Sequence, residues 1–365
     1  MPLHLSRSAR LWRGLSSGVA QLSPAYFAMV MATGIISIAC TLEGIPVVPK
    51  ILLVINVTAY LLLWALLIAR ICFYPHKIAE DLSSHARGPG FFTMVAASSV
   101  IGTQFATQLG LPSVAKGLWG LAFILWLSLT YVIFTALTIR REKPTLENGI
   151  NGGWLTAVVA TQSLVVLGCT LVSVAGAADE AMMFGLVCLW LAGGMLYIWM
   201  ISLIFYRYTF FRFHPEDLSP PYWINMGAVA ISTLAGALLI LNVEKSELLQ
   251  SLLPFLKGFT LLFWATATWW IPMLVILGVW RYVYHRLPLT YDPLYWGAVF
   301  PLGMYTVATI RLSESFHLKF LLTIPSIFVG LALTAWLFTF LGLVVGGLIR
   351  LRSLTSSAPL DQENT

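Results

Sequence analysis

Apolar runs of eighteen or more residues recur along the whole of this sequence, and no other feature limits its possible folds so sharply. A helix rises 1.5 Å per residue, so about 20 apolar residues cover a hydrocarbon layer of roughly 30 Å. Apolar residues make up 59% of the 365 and charged ones only 10%, so lipid rather than water is the expected solvent. No gap between the runs is long enough for an independent soluble domain.

Cutting the chain at charged and Pro/Gly-rich punctuation leaves ten apolar segments: 24–40, 51–69, 89–110, 117–139, 152–175, 181–206, 221–242, 258–280, 293–310 and 320–349. The expectation is an all-α integral membrane protein with ten transmembrane helices across 22–350. A cytoplasmic N-terminal tail at 1–21 and a short polar C-terminal tail at 351–365 flank it. The loops are short, so consecutive helices pair as antiparallel neighbours, giving five hairpins.

Basic residues are retained on the cytoplasmic side during insertion. Of the 21 Lys and Arg, 15 lie in the N-terminal tail, in alternate loops (among them Arg70, Arg140, Arg207 and Arg281) and after the last segment. Only an even number of crossings keeps that bias in phase, so both termini are expected in the cytoplasm of a multi-pass inner or plasma membrane protein. The net charge of +6 is scattered through short loops rather than gathered on one face, which argues against nucleic acid as a partner. Four cysteines without CxxC spacing read as small buried hydrophobes.

Polar side chains favour the odd-numbered segments. Ser98, Ser99, Thr103, Gln104 and Thr107 lie in the third, Thr156, Thr161, Gln162 and Ser163 in the fifth, and Asn225, Ser232 and Thr233 in the seventh. Runs such as 61–67 and 121–129 in even segments suit lipid. The inference is an inner layer of odd helices around something polar, ringed by even ones. Serine and threonine also bond back to their own helix or glue helices together, which is the competing structural reading.

As cut, the ten segments contain no Asp, Glu, Lys, Arg or His. Proton relays and coupling-ion sites are built from such residues, so passive conduction is favoured over coupled transport. There is also no HExxH pair and no Gly-x-Ser-x-Gly elbow, so an enzyme is not expected, nor a cofactor or metal. Hydroxyls and helix ends still present donors to an anion without any fixed charge. Pro301, framed by Gly297 and Gly303, is expected to bend the ninth segment, with the Phe300 ring placed at the bend.

Three stretches, 23–37, 221–228 and 295–309, the last with its Phe300-Pro301 pair, resemble the tellurite-resistance and dicarboxylate transporter family, which includes malate permeases, sulfite exporters and plant slow-type anion channels. The resemblance implies five hairpins in quasi-five-fold symmetry, odd helices lining a central pore, and a homotrimer with one pore per protomer. It implies that Phe300, with Pro301, is the pore gate. Pore-lining candidates are Thr33, Gly34, Ser37, Ser99, Thr103, Gln104, Thr161, Gln162, Asn225, Ser232, Gly297, Gly303 and Thr306. Gly34, Gly102, Gly168 and Gly236 are available for bends where characterised channels have prolines. The expected activity is a channel or uniporter for small inorganic anions or C4-dicarboxylates such as malate. A proton-coupled C4-dicarboxylate or sulfite transporter is the alternative, and a membrane scaffold or sensor a third.

Overall fold

The computed structural model describes residues 14, 16–176 and 179–355, and it contains no strand among them. Ten long helices follow one another: α1 Ala28–Leu42, α2 Val48–Phe73, α3 Phe92–Thr107, α4 Pro112–Ile139, α5 Thr156–Ala175, α6 Glu180–Phe210, α7 Ile224–Leu241, α8 Glu247–Val279, α9 Trp296–Phe316 and α10 Thr323–Thr355. Eight helical stretches are long and apolar enough to cross a membrane, and α3 and α9 are not among them. The reason is local: α3 has 16 residues, several of them hydroxyl or amide, and α9 carries Arg311 and Glu314.

The helices outrun the apolar segments at their ends. Arg70 lies in the last turn of α2, Arg207 in that of α6, and Arg311 and Glu314 within α9, so charged residues are part of helices that the sequence segmentation left free of them. At the chain ends, residues 16–21 are helical and α10 continues to Thr355, while 1–13 and 356–365 of the expected tails lie outside the described residues.

Burial separates the helices into two layers. The most apolar stretches of α5 and α7 are each 89% buried and that of α1 67%, against 17% for α4, 22% for α8 and α10, 33% for α2 and 39% for α6. The outer helices turn Leu61, Leu62, Ile124, Trp199 and Phe338 outward, where lipid is the natural partner. Cys40 and Cys169 are buried as expected, whereas Cys72 and Cys188 are exposed on outer helices.

The inner helices form a closed ring. α1 packs on α3, α3 on α5, α5 on α7, α7 on α9 and α9 back on α1. Each outer helix packs on the inner helix before it in the chain and touches the next inner helix as well. A recurring hydrogen bond marks the second contact. Tyr60 of α2 meets Ser98 of α3 at 2.8 Å, and Trp126 of α4 donates to Thr161 of α5 at 2.8 Å. Trp190 of α6 donates to the Ser232 carbonyl of α7 at 2.9 Å, Trp264 of α8 to Thr309 of α9 at 3.0 Å, and Trp336 of α10 to Thr33 of α1 at 2.9 Å. An amphipathic ring with one polar atom suits this place, since its body packs among apolar side chains while its N–H or O–H reaches a partner.

A second repeat lies at the basic end. Arg70 Nε donates to the Ala20 carbonyl at 3.1 Å, Arg207 Nε to Glu147 at 2.6 Å and Arg281 Nη1 to Pro215 at 2.8 Å, and Arg140 Nη1 bonds to Ser83. In each case an arginine at the end of an outer helix holds the segment that leads into the inner helix paired with it. Asp81 accepts from both Arg70 (2.8 Å) and Arg87 (2.6 Å) at the first of these sites. Arginines that report orientation in the sequence therefore also fasten the loops.

The glycines available for bends lie at close contacts between helices. A side chain on Gly102 would meet Leu167, and one on Gly236 would meet Thr260 and Trp190. Helix α9 continues through Pro301, which lies in its second turn.

Candidate functional site

Every inner helix is entered through a 3-10 turn: Pro24–Phe27, Gly88–Phe91, Gly152–Leu155, Pro220–Trp223 and Pro293–Tyr295. Proline or glycine opens each turn and an aromatic or leucine closes it, a short repeat that is visible in the sequence only once the turns are aligned. Proline suits the first positions of a helix because it lacks the N–H that would be unpaired there. Three turns are capped by side chains, with Ser23, Asn151 and Asp292 accepting from the backbone N–H two residues on.

The five turns touch one another in a closed ring that follows the ring of inner helices. Thr93 Oγ1 lies 2.9 Å from the Pro24 carbonyl, and Thr156 Oγ1 lies 2.6 Å from that of Pro89, so helices α3 and α5 are each fastened to the turn before. Small residues let the backbones meet. A Cβ on Gly90 would approach Ala25 to 3.2 Å, and one on Gly152 would strike the backbone of Pro221. All five inner helices thus begin on the same side, with their N-terminal N–H groups and the positive ends of their dipoles gathered there.

Inside the ring lie two cavities. The inner cavity, of about 220 Å³, opens among the turns and is lined by residues of all five, including Ala25, Gly90, Gly153, Pro221 and Leu294. The outer cavity, of about 230 Å³, lies toward the far ends of the same helices. The last residue that α9 gives to the inner cavity is Phe300, and the first that it gives to the outer one is Met304, one turn on. Met31 and Ile35 of α1, and Val159 and Ser163 of α5, make the same step. Between the cavities the side chains are therefore mostly apolar, and Phe300 is 1% exposed.

Packing on either side fixes where the Phe300 ring points. Pro301 lies against α7 at Gly227, where a Cβ would come 2.7 Å from the proline ring, and Gly303 lies against Ile35 and Ile36 of α1. Tyr305, farther along, stacks on Trp264 of α8 and meets Phe328 of α10. With these three directions taken by neighbours, the remaining face of α9 carries Gly297, Phe300, Met304, Val307 and Arg311 toward the cavities.

Of the thirteen lining candidates read from the sequence, Ser99 and Thr103 line the outer cavity and Gly297 the inner one. The rest point elsewhere among the described residues. Thr33, Thr161 and the Ser232 carbonyl receive the tryptophan bonds described above. Gln104 accepts from Asn56 of α2 at 2.7 Å, and Gln162 donates to the Trp190 carbonyl at 3.0 Å. Ser37 donates to Pro49, Asn225 donates to Tyr208 at 3.1 Å, and Thr306 bonds back to Leu302. Gly34 faces Asn56 and Val100, and Gly303 faces α1. Lining hydroxyls passed over among the candidates include Thr41, Thr93, Thr107, Thr156, Thr170 and Ser173. Their signal was present as spacing, since they share the three- and four-residue step of Gly297, Phe300, Met304, Val307 and Arg311.

Among the described residues, one fixed charge lines the outer cavity. Arg311 stands at its rim on α9 and is paired with Glu314 at 2.6 Å, with both side chains partly exposed. Near the entry turns, burial and the neighbouring Arg140 and Lys143 hold the His85 imidazole below its ordinary value.

The sequence profile of the voltage-dependent anion channel family matches residues 21–344. The chain belongs to that family. It is 24% identical over 306 residues to an uncharacterized transporter of Methanocaldococcus jannaschii, covering 81% of this chain and 86% of the relative. A second uncharacterized transporter of that organism is 24% identical over 293 residues, 78% of this chain and 82% of its own length. An uncharacterized membrane protein of Mycobacterium tuberculosis is 38% identical over 151 residues, 41% of this chain and 75% of the relative. The chain is thus a multi-pass membrane protein of a transporter and channel family, as its resemblance to tellurite-resistance and dicarboxylate transporters implied.

Proposed function

We propose that this chain conducts anions through the axis of its inner ring, as a channel or uniporter gated by Phe300. The observation that carries the proposal is the stacking of two cavities, each lined by all five inner helices, on either side of that residue. In this reading all ten helices span the membrane as five hairpins in quasi-five-fold order, with α3 and α9 shielded from lipid by the outer helices. Shielding removes the need for a continuously apolar sequence. Five helix N-termini around the inner cavity give an anion a favourable potential there without a fixed positive charge, and Arg311 offers one at the outer rim.

Small inorganic anions and C4-dicarboxylates such as malate are the proposed substrates, and the homotrimer implied by the resemblance is the proposed assembly. The basic ends of the outer helices support a cytoplasmic position for the turns and both termini, in an inner or plasma membrane. Cysteine labelling of intact cells tests that orientation: a cysteine at exposed Ser113 should react from outside and one at exposed Glu142 should not.

Passive conduction is favoured over proton coupling because the lining residues include no carboxylate or histidine among those described. Proteoliposomes with an imposed pH gradient and equal malate on both sides should then show no net malate accumulation. Uphill accumulation would establish the proton-coupled alternative.

A further inference from the structure

The hydroxyls around the outer cavity differ in what their protons are doing. Thr41, Thr103, Thr107 and Thr170 each donate to the carbonyl one turn back, Ser163 donates to Ala160, and Ser173 lies within reach of both Cys169 and Asn242. Gln108 has its amide N–H groups directed at Ser37 and Thr41. The protons of these groups are therefore already engaged within the protein and are not free for an anion. Ser99 is different: its Oγ is buried and has no hydrogen-bond partner, although the residue lines the cavity. A buried hydroxyl without a partner is uncommon, because leaving it unpaired costs about 1–3 kcal/mol.

Its position adds to its chemistry. Thr93 is the lining residue that α3 gives to the inner cavity, and Ser99 is the first that it gives to the outer one. The group therefore lies on the outer-cavity side of Phe300 and shares that lining with Ile35, Ile231 and Met304, while the Arg311 guanidinium of the same lining, about three turns farther along α9 from Phe300, is paired with Glu314.

We propose that Ser99 is the hydrogen-bond donor that holds a partly dehydrated monovalent anion in the outer cavity, next to the phenylalanine. This rests on the anion-pore reading and names the group that decides between anions within it. A single donor helps a small, strongly hydrated ion most, because that ion loses the most on dehydration. Ser99→Ala should therefore penalise chloride more than thiocyanate.

Two measurements test it, and they fail separately. In proteoliposomes carrying Phe300→Ala, bi-ionic potentials give the chloride to thiocyanate permeability ratio. Adding Ser99→Ala should lower that ratio by roughly fivefold, less than a whole hydrogen bond to a charged ligand because both ions lose the donor. Adding Ser98→Ala should leave it unchanged, because Ser98 donates to Met94 and faces Tyr60 of α2. An unchanged ratio with Ser99→Ala overturns the proposal. Should the Phe300→Ala protein pass no anion, the channel reading falls, and anomalous diffraction from bromide-soaked crystals of the unaltered protein decides on Ser99. A bromide peak at hydrogen-bond distance from Ser99 Oγ that is lost in Ser99→Ala supports the site, and no peak in the unaltered protein overturns it.

Discussion

On one side of α5, Thr161 accepts from Trp126 and Gln162 donates to the Trp190 carbonyl; on the other, Val159, Ser163 and Val166 face the cavities. The side chains turned away from the axis bond to outer helices, whereas the cavity-lining hydroxyls Ser163 and Thr170 bond back within α5. The same division holds on α1, where Thr33 meets Trp336 while Met31 and Ile35 face inward, and on α3, where Gln104 meets Asn56. In lipid, helices gain little from burying apolar surface against each other, so hydrogen bonds and close packing hold the two layers together. Polarity on an inner helix therefore marks its outer partner as well as its cavity face, and the hydrogen-bond partner tells the two apart.

If that division is right, the largest loss of stability comes from the outward face. Trp190 is fully buried, bonds to Ser232 and packs edge-on against Phe255, Phe259 and Phe263. Trp190→Ala should cost about 3–5 kcal/mol and sharply lower the yield of folded protein in detergent, as read by size-exclusion chromatography. Normal yield and thermal stability would break the comparison.

The arginine fastenings should come next. Arg207 is 6% exposed, donates to Glu147, reaches Tyr222 and Asp217, and lies 5.0 Å over the Phe213 ring. Arg207→Ala removes all of these at once and should cost about 2–4 kcal/mol. Arg207→Lys, which lacks the planar fork, should restore less than half of it. Thermal denaturation followed by tryptophan fluorescence separates the three proteins, and equal midpoints for lysine and arginine would show that charge alone is needed there.

Smaller still is the effect of one outward hydroxyl. Thr161→Val keeps the shape and leaves the Trp126 N–H unpaired, which should cost about 1 kcal/mol with no change in anion flux. A change in flux without a change in stability would move Thr161 to the pore side of the comparison.

The layering was legible in the sequence because it depends on composition along whole segments. Polar residues cluster in the inner helices, and runs such as 61–67 are free of them. The site was less legible because its pattern depends on which face of a helix a residue occupies. Thr33 and Thr161 are as polar as Thr103, and only the positions of Trp336 and Trp126 on other helices show that the first two face outward. Phe300 stood out as a gate candidate through the resemblance and its proline. The fivefold repeats of aromatic donor and entry turn were hidden for another reason. Spacings between repeats vary, and the donor is tyrosine on one outer helix and tryptophan on the other four. The segment ends were misplaced because Arg70, Arg207 and Arg311 break the apolar runs without breaking the helices.

The account turns on the axis being a pore closed at Phe300, and truncating that ring tests it most directly. Phe300→Ala opens the apolar narrowing between two cavities that already exist, so anion flux into proteoliposomes, normalised to folded protein, should rise about tenfold or more over the unaltered protein. If Phe300 is instead a packing residue, its removal leaves a void costing about 3–5 kcal/mol and yields less folded protein with no new flux. Well-folded Phe300→Ala protein with unchanged flux would contradict the account.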